Sequence, residues 1–340
     1  MAEPVTLRDV AQRAGVHPAT ASRALNPETR PLVNEETARR VLSAAGELGY
    51  RPNAVARSLR TKRSMTVGVL IPDLRNPLFP PIVRGIEDRL APDGYVVLIG
   101  NTDLDTDREQ MLFERMRDRN VDGCILTTAQ LRGSLLAEAA QSGLPVVLAN
   151  RLAEEYSFPS VSVDNELGIK MVIGHLTELG HRRIGYVAGP QDVSTGLSRY
   201  QGFITSMEAA GLSADPDRIV FARAFSVEEG RRCCQELLAS RPPCTAIAAG
   251  NDMLAVGCYA ALDDAGRSCP DDISVVGFND MPFVDRLRPP LTTVAFPHYQ
   301  LGAEAAELLL DRMAGDGHPV KVLYLAPHLV VRGSTAAPAG

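Results

Sequence analysis

The sequence predicts an all-α N-terminal headpiece followed by a two-lobed α/β core of parallel sheets flanked by helices, on three observations. Residues 1–51 read as short amphipathic helices. From Met65 onward, short β-branched runs alternate with amphipathic stretches at roughly 25-residue spacing, the pattern of parallel βα units. Charge divides at the same place: residues 1–63 hold 11 Lys+Arg against 6 Asp+Glu, and the remainder 24 against 35. A small basic head on an acidic body is what a nucleic-acid-binding module joined to a second function shows; a solvated face of clustered charge is the plainer alternative.

In "VTLRDVAQRAGVHPATASRALN", Thr6 with Asp9 three residues on has the form of a capping box, and Leu7, Val10, Ala11 and Ala14 make one apolar stripe. Gly15 interrupts. Pro18 then suits the first turn of a second helix, where its missing N–H has no intrahelical role. A third helix is expected from the N-cap Asn34 to Gly49. Three short helices, the first two joined through a Gly turn, give the helix-turn-helix arrangement.

The body supplies the strand-like runs "TVGVLI", "YVVLIG", "GCILTT", "PVVLAN", "SVSVD", "IGYVAG", "RIVFA", "AIAAG", "ISVVGF" and "TTVAF", with helical stretches such as "FPPIVRGIEDRLAPDG" between them. These are too many strands for one compact sheet of this kind, so two similar lobes are expected, divided near Ser162. Apolar runs stay far below the ~18 residues of a membrane span. The N-terminus lacks the basic and apolar regions of a secretory signal, which points to the cytoplasm. Cys124, Cys233, Cys234, Cys244, Cys258 and Cys269 form no CxxC pair and no metal-like spacing with histidine, so buried thiols and no metal site are expected. The chain has no GxGxxG, no GxxxxGK[ST], no HExxH and no GxSxG, and its lysines are only Lys62, Lys170 and Lys321. Neither a cofactor nor a catalytic residue is expected.

The string "TLRDVAQRAGVHPATASRALN…VNEETARRVLSAAGELGYRPNAVARSL" closely resembles the DNA-binding headpiece of the lac repressor family (LacI/GalR type) of bacterial transcription regulators, ungapped apart from the loop "PETRPL". The body is similar to that family's effector-binding core, itself like periplasmic sugar-binding proteins, at "GVLIPDLRNPLF", "HLTELGHRRIGYVAGP", "RYQGF", "AAGNDMLAVG", "DISVVGFNDMP" and "PPLTTV". The resemblance implies a headpiece at 1–51, a hinge at 52–64 and an effector-binding, dimerising core at 65–340. It also implies three crossings between lobes, giving the first lobe about 65–162 and 293–321 and the second about 163–292 and 322–335. On that division "TTVAF" and its following helix return to the first lobe.

Carried over residue by residue, the resemblance puts Pro18, Ala19 and Arg23 at base-reading positions. Arginine can fork onto the O6 and N7 of guanine, whereas proline and alanine offer apolar contact to a thymine methyl. Thr6, Ser22, Asn26 and Thr37 fall where phosphates are held. His17 stands where the family usually has Ser, which alters the expected cap of the recognition helix, and the altered loop leaves the contact of Arg30 open. In the hinge, Asn53, Val55, Arg57 and Leu59 are implied to fold into a short helix on DNA, with Leu59 wedged into a minor-groove step. In the core, Phe79, Asn150, Arg199, Phe225, Asn251 and Asn279 are the implied effector contacts, Arg199 opening the helix "RYQGF" and the asparagines ending strands. Asp252 is expected to be a helix cap. Asn150 and Asn279 stand where many sugar- or purine-responsive relatives carry Asp.

The implied function is a repressor that binds near-palindromic double-stranded operator DNA as a homodimer, with no membrane role. A small-molecule effector, a sugar or sugar derivative between the lobes, would modulate it. A purine or other metabolite as effector, and a sugar-binding protein without a DNA role, are the alternatives.

Overall fold

The computed structural model describes residues 5–26, 29–51, 63–240, 242–315 and 319–338. The chain divides into two compact units, Met1–Ser64 and Met65–Gly340.

The head comprises α1 (Leu7–Ala14), α2 (Pro18–Leu25) and α3 (Glu35–Glu47). The capping box forms at α1: the Thr6 Oγ1 accepts from the Asp9 N–H, and the Asp9 carboxylate accepts from the Thr6 N–H at 2.8 Å. Gly15 then turns the chain at φ 64°, a left-handed conformation that a side chain would strain. His17 replaces the usual hydroxyl cap with a ring nitrogen, its Nδ1 accepting from the Ala19 N–H at 3.2 Å. The core of the head is mostly alanine (Ala11, Ala21, Ala24, Ala38, Ala44) around Val10 and Val41, so the helices sit close together.

In the second unit, strands β1 (Thr66–Ile71), β2 (Val96–Asn101), β3 (Gly123–Leu126), β4 (Val146–Ala149) and β5 (Ser160–Val163) build one sheet with β11 (Val322–Leu325), in the order β11-β5-β4-β3-β1-β2. Strands β6 (Ile184–Ala188), β7 (Ile219–Phe221), β8 (Ala246–Ala249), β9 (Ser274–Asn279), β10 (Thr292–Ala295) and β12 (His328–Val330) build the other, in the order β12-β10-β9-β8-β6-β7. The two orders are the same pattern used twice. All pairings are parallel except β10 with β12. The central strands, such as Val67–Ile71, are buried on both faces, which is why they read as near-continuous apolar runs.

The helices used below are α4 (Phe79–Leu90), α5 (Thr106–Asp118), α6 (Ser134–Gln141) and α7 (Asn165–Glu178), then α8 (Ser194–Ala209), α9 (Val227–Leu238), α10 (Asp252–Asp264) and α11 (His298–Met313). Helix α11 packs on α4 of the first lobe at backbone distance: a Cβ on Gly302 would lie 1.9 Å from the Ile82 carbonyl, and one on Gly85 2.0 Å from that of Tyr299. The carboxyl-terminal segment is stitched to the second lobe, with the Ser334 hydroxyl donating to the Val275 carbonyl at 2.6 Å and accepting from the Thr292 N–H at 2.7 Å.

Two boundaries differ from the sequence expectation. The strand in "TTVAF" stays in the second sheet, parallel to β9, and only α11 returns to the first lobe. The Asp252 carboxylate accepting from the Thr293 hydroxyl at 2.5 Å holds it there. Residues 322–325, assigned above to the second lobe, pair with β5 in the first. The crossings therefore fall after Val163, after Ala295 and between Leu325 and His328.

Candidate functional site

Helix α2 buries Ala21 and Ala24 and turns Ala19 and Arg23, four residues apart, outward, with Pro18 and Ser22 half-buried beside them. Thr6 is exposed as the cap of α1, while Asn26, the C-cap of α2, and Thr37, in the first turn of α3, are half-buried. The Arg30 Nε donates to the Ala24 carbonyl at 3.1 Å, so this side chain supports the end of α2. One row of small residues and an arginine on an outward helix face suits a groove lined with phosphates and base edges. Asn53, Val55, Arg57 and Leu59 lie outside the described residues.

In the core, Phe79, Asn150, Arg199, Phe225, Asn251 and Asn279 come from six separate segments and line one cavity of about 490 Å³. It opens at the carboxyl ends of the strands of both sheets, where ligands of open α/β sheets bind, and its volume suits a small organic molecule. Asn150 and Asn279, at strand ends, hold positive φ (67° and 122°), the first in the left-handed region that asparagine tolerates better than most residues.

Arg199 is buried in the second wall of the cavity. Its Nε donates to Asn165 Oδ1 at 2.7 Å, Nη1 to the Gly250 carbonyl at 2.6 Å and Nη2 to Asn279 Oδ1 at 3.3 Å. Its Cζ lies 3.7 Å from the centroid of the Phe278 ring. Burial lowers its pKa to about 10, still far above neutrality, so it stays charged. Arg199 sits in the second turn of α8 and does not open the helix as expected. The helix starts at Ser194 because Gly196 allows contact with the Pro190 carbonyl, 1.8 Å from where a Cβ would be.

Asn251 is the helix cap in its pair: its Oδ1 accepts from the Leu254 N–H at 2.9 Å. Asp252, expected as the cap, is fully buried and instead accepts from the Met281 N–H at 2.8 Å and from Thr293. Burial raises its pKa to about 6. Phe79 is buried at the start of α4, and the Phe225 ring fills the space a side chain on Gly189 would need.

On the first wall, beside the expected Asn150, stand Thr128, Glu109 and Arg151, which sequence reasoning missed. Thr128, Asn150 and Glu109 are nearly buried, yet Thr128 Oγ1, Asn150 Oδ1 and Glu109 Oε1 make no hydrogen bond. Beside them Arg151 donates from Nη1 to the Thr128 carbonyl at 2.8 Å. Burial raises the Glu109 pKa, with the Thr128 hydroxyl and the Arg151 charge pulling the other way. Burial lowers that of Arg151 to about 10. Arg151 follows Asn150 at a strand end and was findable by position; Glu109 lies on a polar helix with nothing to mark it.

A three-helix head with an outward arginine-bearing helix, on a core with a ligand-sized cleft between two lobes, defines a ligand-responsive DNA-binding regulator. Residues 6–53 match the model of bacterial regulatory proteins of the lacI family, and residues 173–335 that of a periplasmic binding protein-like domain. The HTH-type transcriptional repressor CytR of Escherichia coli (strain K12) is 36% identical over 334 residues, 98% of this chain and 96% of its own. Among solved structures, the lac repressor dimer bound to operator and the anti-inducer ONPF superposes with a TM-score of 0.86 at 27% identity, over 98% of this chain and 100% of that one. The complex of the transcriptional regulator CelR with cellobiose gives 0.75 at 30% identity, over 97% and 99%. The chain belongs to the lacI family of bacterial regulatory proteins. It is a transcription regulator and not an enzyme.

Proposed function

We propose that this chain represses transcription in the cytoplasm as a homodimer, each head reading half of a near-palindromic operator, with a sugar or sugar derivative in the cleft setting operator affinity. One observation carries the reading: a single chain joins an outward, arginine-bearing helix to a cavity walled by two lobes. In this reading Arg23 forks onto a guanine, Pro18 and Ala19 contact neighbouring base edges, and Thr6, Ser22, Asn26 and Thr37 hold phosphates. A single head of this size makes few base contacts, so two are paired for specificity. The relatives support both halves: the lac repressor dimer is bound to operator, and CelR is in complex with cellobiose. Phe79 and Phe225 would cover the apolar face of the effector, and Arg199, Asn150, Asn251 and Asn279 its polar groups.

The test is a gel shift of the full chain on genomic fragments. The expected result is sequence-preferring binding that Arg23→Ala weakens by about 1–3 kcal/mol on the preferred fragment, with little change on unrelated DNA. Absence of any sequence-preferring retardation would leave standing the reading as a sugar-binding protein without a DNA role.

A further inference from the structure

Arg199 is a buried cation held by neutral groups. Its acceptors are an amide, a backbone carbonyl and a second amide, with an aromatic ring on its face. No carboxylate among the described residues comes within ion-pair distance of it. Asp252, whose charge reaches it, has both oxygens taken by Thr293 and the Met281 N–H. The contacts above use three of the five N–H groups of the guanidinium, leaving one on each terminal nitrogen. Across the cavity, Asn150 Oδ1 has no partner, and Glu109 Oε1 and Thr128 Oγ1, near enough for the hydroxyl to lower the Glu109 pKa, make no close hydrogen bond; the three side chains are only 4%, 8% and 4% exposed. One wall thus offers a positive fork without a direct ion-pair partner, and the other a set of oxygens suited to hydroxyl donors.

We propose that the cleft takes a polyhydroxylated carboxylate, a sugar acid, with its carboxylate on Arg199 and its hydroxyls on Asn150, Glu109 and Thr128. This deepens the reading above and rests on the cleft being the effector site. A neutral sugar would displace water from Arg199 without supplying a counter-charge, whereas a carboxylate makes charge-assisted bonds to the fork. The cavity is also lined by acidic side chains, of which Glu228 on the second lobe feels the charge of Arg75 and Asp192 is felt by Arg151. Asp73 is paired with Arg75 at 3.0 Å, Asp105 caps α5 through the Arg108 N–H at 2.8 Å, and Glu109 is offset by the Arg151 charge. Asn279 is the decisive position, because an aspartate there would neutralise Arg199 from within the protein.

Calorimetric titration of the full chain with D-glucuronate, D-galacturonate and D-gluconate, each against D-glucose, D-galactose or D-sorbitol, tests this. The expected result is that at least one acid binds, about tenfold or more tighter than its neutral counterpart. Asn279→Asp should weaken that acid by about tenfold and bring the neutral counterpart level with it or ahead. If the variant fails to fold, the wild-type comparison decides alone. Neutral sugars binding as tightly as the acids would overturn the proposal while leaving the cleft as an effector site. Binding by none of these compounds would overturn it as well, and the gel shift on genomic fragments judges the regulator reading independently.

Discussion

Single residues in this chain carry chemistry that their neighbours, not their own type, decide. Arg199 keeps its charge in a buried wall because an amide, a carbonyl and a second amide accept from it, and the same contacts leave part of its fork for a ligand. His181 is the converse, a buried ring kept neutral. Its Nε2 donates to the Ala336 carbonyl at 2.9 Å, which leaves Nδ1 to accept from the Thr245 hydroxyl at 2.9 Å. Burial depresses its pKa below the ordinary 6.5, and the neighbouring His175 adds to the shift. Between the depressed value and 6.5 the unfolded chain binds more protons than the folded one. This contribution to stability is therefore complete above about pH 6.5 and is lost as pH falls through the depressed value. His181→Ala should cost about 1–3 kcal/mol at pH 7.5, and that cost should shrink as pH is lowered from 6.5 to 5. Thermal or urea unfolding of both proteins across that range checks it; a pH-independent cost would contradict the account. Strand ends made Asn150 and Asn279 legible, and the resemblance at "RYQGF" made Arg199 so. The buried oxygens of Glu109 and Thr128 were not legible, since burial of a polar side chain depends on what packs over it.

At the scale of elements, strand-to-helix alternation was readable because the central strands are apolar on both faces. The short edge strands β11 and β12, partly exposed, lack that signal, and neither stood out in the sequence. The assignment of "TTVAF" to the wrong lobe has a physical cause too. Which sheet a strand joins is decided by partners remote in sequence, here Asp252 and β9, which no local pattern reports. The packing of α11 on α4 depends on glycine in both helices. Gly302→Ala would drive a methyl into the Ile82 carbonyl at 1.9 Å, with backbone on the receiving side and nothing flexible to yield. The expected result is a loss of about 1–3 kcal/mol or more in the unfolding free energy of the core. Denaturant titration measures it, and an unchanged midpoint would show that the two helices can separate at no cost.

Beyond its head, the molecule is a pair of similar lobes joined by three crossings, and the cleft residue Arg199 bonds to that joint. Asn165, which accepts from Arg199 Nε, begins α7 just past the first crossing, and His298 begins α11 just past the second. Away from the crossings, the Leu131 N–H donates to the Asp192 carbonyl at 2.8 Å, and the Leu152 N–H to the Ser194 hydroxyl at 2.8 Å. These bonds bridge the lobes beside the cavity, so a ligand that fills it acts on the same groups that set the lobe angle. Occupancy of the cleft should then alter operator affinity, and by linkage DNA should alter ligand affinity by the same factor. The most direct measurement is the operator dissociation constant by fluorescence anisotropy, with and without a saturating compound that calorimetry shows to bind the core, for wild type and Arg199→Ala. The account predicts a change of about 5–150-fold in the wild type and none in the variant, whose operator affinity without ligand is otherwise retained. The same affinity with and without ligand in the wild type would contradict it.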